Sequence, residues 1–162
     1  MTDRRNFLRG RLSGRPATLR PPWAGDEDDF VSACTQCGDC ARACPTHVIV
    51  RGDGGYPAID FGKGECTFCA ACVSACAPGA LKRRGGMLPW TNRASIGDAC
   101  LARNQVECRV CGEMCEVGAI RFRPQAGSVA LPELDAEACI ACGACVAPCP
   151  VGAIGITTQA SR

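Results

Sequence analysis

Apolar residues occur along this chain in short runs, and no run has the length or the helical period of an extended amphipathic helix. Two runs, Val48–Val50 and Ala58–Phe61, flank the turn signal RGDGGYP, and a second pair, Ala119–Arg123 and Val129–Leu131, flanks a similar turn. Runs of this kind joined by short turns predict small antiparallel strand pairs. The pattern therefore predicts a small α+β fold with sparse secondary structure.

The cysteines lie between the apolar runs in four groups of four. The last cysteine of each group begins a similar segment: CPTHVIV, CAPGAL, CEVGAIRF and CPVGAIGI. The groups are Cys34, Cys37, Cys40 and Cys44; Cys66, Cys69, Cys72 and Cys76; Cys100, Cys108, Cys111 and Cys115; and Cys139, Cys142, Cys145 and Cys149. The spacing between the first and second groups is nearly the same as the spacing between the third and fourth groups. This periodicity predicts two tandem copies of a two-cluster, bacterial-ferredoxin-like module.

The spacing C-x2-C-x2-C-x3-C is typical of [4Fe–4S] ligation, in which three close cysteines hold one cluster and the fourth reaches the neighbouring cluster. We expect short helical turns after Cys40, Cys72, Cys111 and Cys145, carrying Cys44, Cys76, Cys115 and Cys149. The predicted ligand sets are Cys34, Cys37, Cys40 and Cys76; Cys66, Cys69, Cys72 and Cys44; Cys100, Cys108, Cys111 and Cys149; and Cys139, Cys142, Cys145 and Cys115. Four clusters are expected.

The third group departs from the spacing of the others. Seven residues separate Cys100 from Cys108, and Glu116 stands where the first and fourth groups have proline. We therefore expect the third group to hold its cluster least firmly.

Two other uses of cysteine are disfavoured. Structural zinc prefers two separated cysteine pairs to three close cysteines. Sixteen cysteines in 162 residues would suit a disulfide-linked secreted protein. The N-terminus resembles a twin-arginine signal at Arg4 and Arg5 but lacks the apolar stretch of about 7–15 residues that export requires. We expect a cytoplasmic protein, and disulfides are rare in that compartment.

Composition and charge refine this interpretation. With two Trp, one Tyr and five Phe, the chain can bury only a modest apolar core, so metal binding must supply stability. The formal net charge of the chain is +2, and four bound clusters with their thiolates would add roughly −8. The loaded protein is then acidic, which argues against nucleic-acid binding. No stretch approaches the roughly 20 apolar residues of a membrane span.

The expected organisation is a basic N-terminal arm at residues 1–33, a first module at 34–81, a linker at 82–99 and a second module at 100–162. The arm carries six arginines against one aspartate in its first 20 residues. It is either a solvated tail or a docking segment. The linker is inferred from its glycines and Pro89.

Nothing in the sequence indicates substrate chemistry. There is no nucleophile–base pair or phosphate loop, and four cysteines per cluster leave no open iron. His47, the only histidine, is interpreted as a surface residue, and Tyr56 and Trp90 as packing residues. We therefore expect electron transfer or work with a protein partner, and not an enzyme.

Several segments carry a family resemblance: RRNFLRGR at the N-terminus, RPPWAGDE at 20–27, GGYPAIDF at 54–61, and SIGDACLARNQVECRVCGEMCE at 95–116, which includes the third cysteine group. Together with the stretched third group they resemble the NapF family, ferredoxin-type accessory proteins of the periplasmic nitrate reductase system. The resemblance implies a cytoplasmic protein that contacts the catalytic subunit NapA before export and assists its maturation. A soluble polyferredoxin that carries electrons for a redox enzyme is the alternative.

Overall fold

The computed structural model describes residues 18–83, 85 and 89–158. Its helices are α1 (Glu27–Ala33), α2 (Asp39–Arg42), α3 (Ala71–Ser74) and α4 (Val110–Glu113), and its strands are β1 (Ile49–Arg51), β2 (Pro57–Ile59), β3 (Asn92–Ile96), β4 (Ile120–Gln125), β5 (Ser128–Leu134) and β6 (Ile154–Thr158). A 3₁₀ turn, Asp53–Gly55, links β1 to β2. Among the described residues, no helix is long and apolar enough to cross a membrane. The elements agree with a small α+β fold.

Three two-stranded antiparallel sheets form, and two of them are the predicted hairpins. β1 pairs with β2, with Ile49 opposite Ile59, and β4 pairs with β5, with Ile120 opposite Leu134. Each observed strand lies within a few residues of its predicted position, which is the usual uncertainty of strand ends. The local turn signals were therefore sufficient to predict both hairpins.

The third sheet pairs β3 with β6 and was not predicted. β3 lies inside the expected linker, 82–99, and joins the last strand of the chain through pairs such as Ala94 opposite Ile156. A strand pair so far apart in sequence has no connecting turn that would reveal it. The part of the expected linker at 92–96 is thus a strand in the sheet of the second half of the chain.

The helical turns differ slightly from their predicted positions. α2, α3 and α4 each begin one residue before the third cysteine of their group and end before the fourth cysteine. The fourth group has hydrogen-bonded turns instead, in which the Val146 amide donates to the Gly143 carbonyl and the Cys149 amide to the Val146 carbonyl. The fourth cysteine of each group therefore lies just beyond the turn, where the chain direction changes.

The expectation of an arm over residues 1–33 is wrong for its last part. Residues 1–17, including Arg4 and Arg5, lie outside the described residues, but 18–33 pack on the first module. The Ile59 amide donates to the Leu19 carbonyl at 2.8 Å, and Phe30 of α1 is almost completely buried. Sequence periodicity missed α1 because the helix has only two turns and one fully buried side chain.

Arg20 fixes this segment in place. Its guanidinium donates two hydrogen bonds to the Glu27 carboxylate, at 2.7 and 2.9 Å, and one to the Pro57 carbonyl at 3.1 Å. The same group lies over the rings of Phe30 and Tyr56, with centroid distances of 5.2 and 5.5 Å. A planar cation between two rings and a carboxylate combines charge, stacking and bidentate hydrogen bonding.

The core is made largely of small side chains, since most of the buried apolar residues are alanine or cysteine. One cluster of buried residues surrounds Phe30, Val48 and Leu81, and Val146 and Ile156 of the second half also contact it. Smaller clusters surround Ile120 and Ala119. The two halves of the chain are thus packed against each other.

Candidate iron–sulfur sites

The cysteine loops of groups one, two and four share one unusual backbone path. The residue before the second cysteine has a positive φ in each: Gln36, Phe68 and Ala141. The residue after the second cysteine does too: Gly38, Ala70 and Gly143. Left-handed residues on both sides of a cysteine turn the chain tightly around a centre. Four of these six residues are not glycine, so the loops contain strained backbone.

The third group follows a different path. Arg109, which corresponds in spacing to Gly38, has φ −128°, and the positive φ of this region occurs at Gln105. The seven residues between Cys100 and Cys108 form their own turn, in which the Val106 amide donates to the Leu101 carbonyl at 2.9 Å. The departure in sequence is thus also a departure in backbone conformation.

Despite these differences, the structure brings the cysteines together in four sets, which we name sites I to IV. Site I contains Cys40 with Cys34, Cys37 and Cys76 as its electrostatic neighbours. Site II is a cavity whose lining includes Cys44, Cys66, Cys69 and Cys72.

Site III is a second cavity, whose lining includes Cys100, Cys108, Cys111 and Cys149. In site IV, Cys139 and Cys115 are electrostatic neighbours of Cys142, and Cys142 and Cys115 are neighbours of Cys145. Each site therefore takes one cysteine from the other group of its pair, as in the predicted ligand sets. That these sixteen side chains ligate iron stays a prediction.

Hydrogen-bond donors surround the cysteines that cross between groups. The Leu81 amide donates to the Cys76 sulfur at 3.4 Å, and the Ala153 amide donates to the Cys149 sulfur at 3.2 Å. The Cys44 sulfur lies 3.5 Å from the Thr46 hydroxyl. Such bonds favour the thiolate form and, around a cluster, tune its reduction potential.

Burial makes several other thiols resist ionisation. It raises the pKa of Cys72 and Cys145 to about 12, helped by the charges of neighbouring cysteines. It raises the pKa of Cys40, Cys66 and Cys111 to about 11. At Cys44, burial acts in the same direction, but hydrogen bonds from Thr46, Ile49 and Val48 outweigh it and lower the pKa.

These crowded thiolates need a positive centre, because sulfurs that repel one another in a desolvated site are stable as anions only beside a cation. Among the described residues, no three Cys, His, Asp or Glu side chains are arranged to hold a single metal ion. Four cysteines around a larger space, with amide donors directed at sulfur, fit a [4Fe–4S] core instead. The donor set of each site therefore suits the predicted cofactor.

Residues that the sequence singled out beside the cysteines have ordinary positions. His47 is exposed, with a φ of 54°. Tyr56 packs near Phe30, with ring centroids 6.3 Å apart, and Trp90 packs against two phenylalanines. The sequence interpretation missed Thr46, whose hydroxyl beside Cys44 could have been noticed only from its position after the proline of the first group.

Comparisons with known proteins agree with this geometry. Residues 33–81 and 106–153 each match the model of a 4Fe-4S dicluster domain. The ferredoxin-type protein NapF of Escherichia coli (strain K12) is 46% identical over 152 residues, which cover 94% of this chain and 92% of the relative. The chain belongs to the NapF family. NapF of Haemophilus influenzae is 45% identical over 161 residues, covering 93% and 91% of the two chains.

A more distant relative is the methylamine utilization ferredoxin-type protein MauM of Methylorubrum extorquens, 30% identical over 93% of this chain and 76% of the relative. Two dicluster domains in one NapF-family chain support as many as four [4Fe–4S] clusters, as the sequence predicted. The zinc and disulfide alternatives are thereby set aside.

Proposed function

We propose that this chain is a cytoplasmic accessory factor that binds the nitrate reductase catalytic subunit NapA and assists its maturation before export. The observation that carries the proposal is the likeness to NapF over nearly the whole chain, including segments outside the cysteine groups. In this proposal the sixteen cysteines of sites I to IV are the iron ligands. Bound clusters would supply one-electron oxidation and reduction.

The chain is further proposed to catalyse no reaction on a substrate of its own. Each site brings together four cysteines, enough to occupy the four iron corners of a cubane. The residues of the chain would then bind and orient the clusters and keep water from them. The contact with NapA would be made by protein surface, and the basic residues of the first seventeen positions are the candidates.

Deletion of residues 1–17 tests the docking role and retains Leu19 and Arg20, which pack on the first module. NapA precursor should be retained by the full-length chain in an anaerobic pull-down and lost from the deletion variant. A matched control replaces five arginines with lysine and so keeps the charge: Arg4, Arg5, Arg9, Arg11 and Arg15. Equal retention by the full-length chain and the deletion variant would contradict docking through this segment.

A polyferredoxin electron carrier is the second candidate, supported by the complete set of four cysteines at every site. A carrier would pass electrons to its redox enzyme after loss of residues 1–17. A maturation factor would instead raise the fraction of NapA that holds its cofactors. Measuring both in the same deletion variant distinguishes the two functions.

A further inference from the structure

The two halves of the chain meet at the cysteines themselves. The backbone amide of Cys66, in site II, donates a hydrogen bond of 2.8 Å to the carbonyl oxygen of Cys142, in site IV. From standard bond lengths, the sulfurs of these two residues are at most about 11 Å apart. A single hydrogen bond and two short covalent paths therefore join one site of each half.

Trp90 holds this junction from the side. Its ring packs edge-on against Phe61 and Phe68, with centroid distances of 6.0 and 5.6 Å. Its indole N–H donates to the carbonyl oxygen of Ile140 at 3.0 Å. Because Phe68 lies between the first two cysteines of group two and Ile140 between those of group four, one side chain connects both loops.

The contact between Phe61 and Gly143 brings the two halves of the chain close together at this junction. A Cβ at position 143 would lie 1.9 Å from Cδ1 of Phe61, so only glycine allows the ring to approach the loop this closely. Gly143 has a φ of 84°, and it lies between Cys142 and Cys145. The aromatic ring thus covers the backbone of the site IV loop and excludes water there.

Sites II and IV, which meet at the junction, each also lie next to the remaining site of their own half. Cys72 of site II and Cys40 of site I belong to one cluster of buried residues. Cys145 of site IV and Cys111 of site III belong to another. The order of the sites through the molecule is therefore I, II, IV, III, which differs from their order in the sequence.

We infer that the four sites form one continuous row, with the Cys66–Cys142 junction as its central link and Trp90 as a positioning residue for that link. A one-electron donor would give one electron to the site at an end of the row. The donor would be oxidised and the chain reduced by one electron each, with no bond made or broken. The two halves would then work as a single electron path. The inference rests on the cysteine assignment proposed above.

The test uses the full chain, loaded anaerobically and reduced with dithionite, in three glycine forms. These are the unchanged chain, Gly143→Ala, and the control Gly118→Ala, whose glycine also has a positive φ but no atom near the added Cβ. The readouts are hydrogen exchange at the Cys66 amide, magnetic interaction between clusters in EPR spectra, and iron per chain. A fourth form, Trp90→Phe, removes the N–H donor to Ile140 and part of the ring that packs on Phe61 and Phe68.

We expect a protected Cys66 amide and an interaction spectrum in the unchanged chain and in Gly118→Ala. Gly143→Ala should exchange the Cys66 amide at least about tenfold faster and lose part of the magnetic interaction at unchanged iron content. If Gly143→Ala loses iron, Trp90→Phe, which leaves every cysteine loop intact, should show the same two changes more weakly.

Two results would contradict the inference that the four sites form one continuous row. One is an unprotected Cys66 amide in the fully loaded chain. The other is a magnetic interaction that stays the same in a variant whose Cys66 amide has become exposed. Failure of the cysteine assignment gives a different signature, because iron content would then be low in the unchanged chain itself.

Discussion

The side chain of Cys76 lies within electrostatic range of the Cys40 thiol, although the two belong to different cysteine groups. The reciprocal arrangement occurs at Cys44, which lines the same cavity as Cys66. Each dicluster half is thus held together by two crossing cysteines. Each cysteine group is contiguous in sequence, but each site combines three cysteines of one group with one cysteine of another.

Removal of a crossing cysteine should damage the cluster of the other group. We expect Cys44→Ala to lose or convert the cluster at site II, held by Cys66, Cys69 and Cys72, and to spare site I. Cys76→Ala is the matched variant and should do the reverse. EPR spectra of the reduced variants, with iron counts, distinguish the two sites. Damage by Cys44→Ala confined to site I would show that each group ligates its own core.

The loaded chain should contain about sixteen iron and sixteen sulfide after anaerobic preparation. Site III is the expected weak point, because its loop lacks the left-handed residues that flank the second cysteine in the other three and has seven residues, instead of two, between its first two cysteines. Brief exposure to air should therefore reduce iron toward about twelve per chain before the other sites respond. Loss of Cys100, Cys108 and Cys111 ligation should appear first in EPR. Equal loss from all sites would contradict this order.

Features encoded by local spacing could be predicted from the sequence. Cysteine spacing indicated the four sets, and the turn between Val50 and Ala58 indicated a hairpin. Long-range features could not be predicted: β3 pairs with a strand about sixty residues away, and Leu19 bonds to β2 across the first module. The role of Arg20 was equally hidden, because an arginine in a basic segment looks solvated until its carboxylate and two rings are known.

Ala70 offers a test of backbone strain in the cysteine loops. It has φ 62° at the position where groups one and four have Gly38 and Gly143. Ala70→Gly should stabilise the loaded chain by about 1 kcal/mol, since glycine adopts this conformation without a Cβ penalty. Anaerobic denaturant unfolding measures the change. Ala75→Gly is the control, because Ala75 has φ −83° and the same change there should destabilise by roughly 0.5–1 kcal/mol. A less stable Ala70→Gly chain would show that the strain is absent.

Arg20 should contribute strongly to the stability of the first module. Its side chain is only 15% exposed, and its guanidinium bonds to Glu27 and Pro57 while contacting two rings. We expect Arg20→Ala to reduce the free energy of unfolding by about 2 kcal/mol, and Arg20→Lys to recover only a minor part because ammonium lacks the planar fork. Arg42→Ala is the control, since Arg42 makes an exposed ion pair with Asp39 and should cost well under about 1 kcal/mol. Similar losses for Arg20→Ala and Arg42→Ala would contradict this role.

The last prediction is that folding depends on the metal. Among the described residues, Phe30, Val48 and Pro22 are the largest side chains that are fully buried, and alanine and cysteine make up most of the buried apolar residues. Burial of so little apolar surface opposes a backbone ordering cost of about 1–2 kcal/mol per residue. The buried cysteines also repel one another as thiolates, so without a metal they cannot provide ligand bonds to close the loops.

Chelator with oxidant should therefore bleach the visible absorbance and unfold the chain together, with far-UV circular dichroism falling in step. Removing the metal tests coupling directly, since binding free energy is then also folding free energy. A bleached chain that kept its native far-UV and near-UV spectra would refute the coupling and indicate a scaffold that is stable without its clusters.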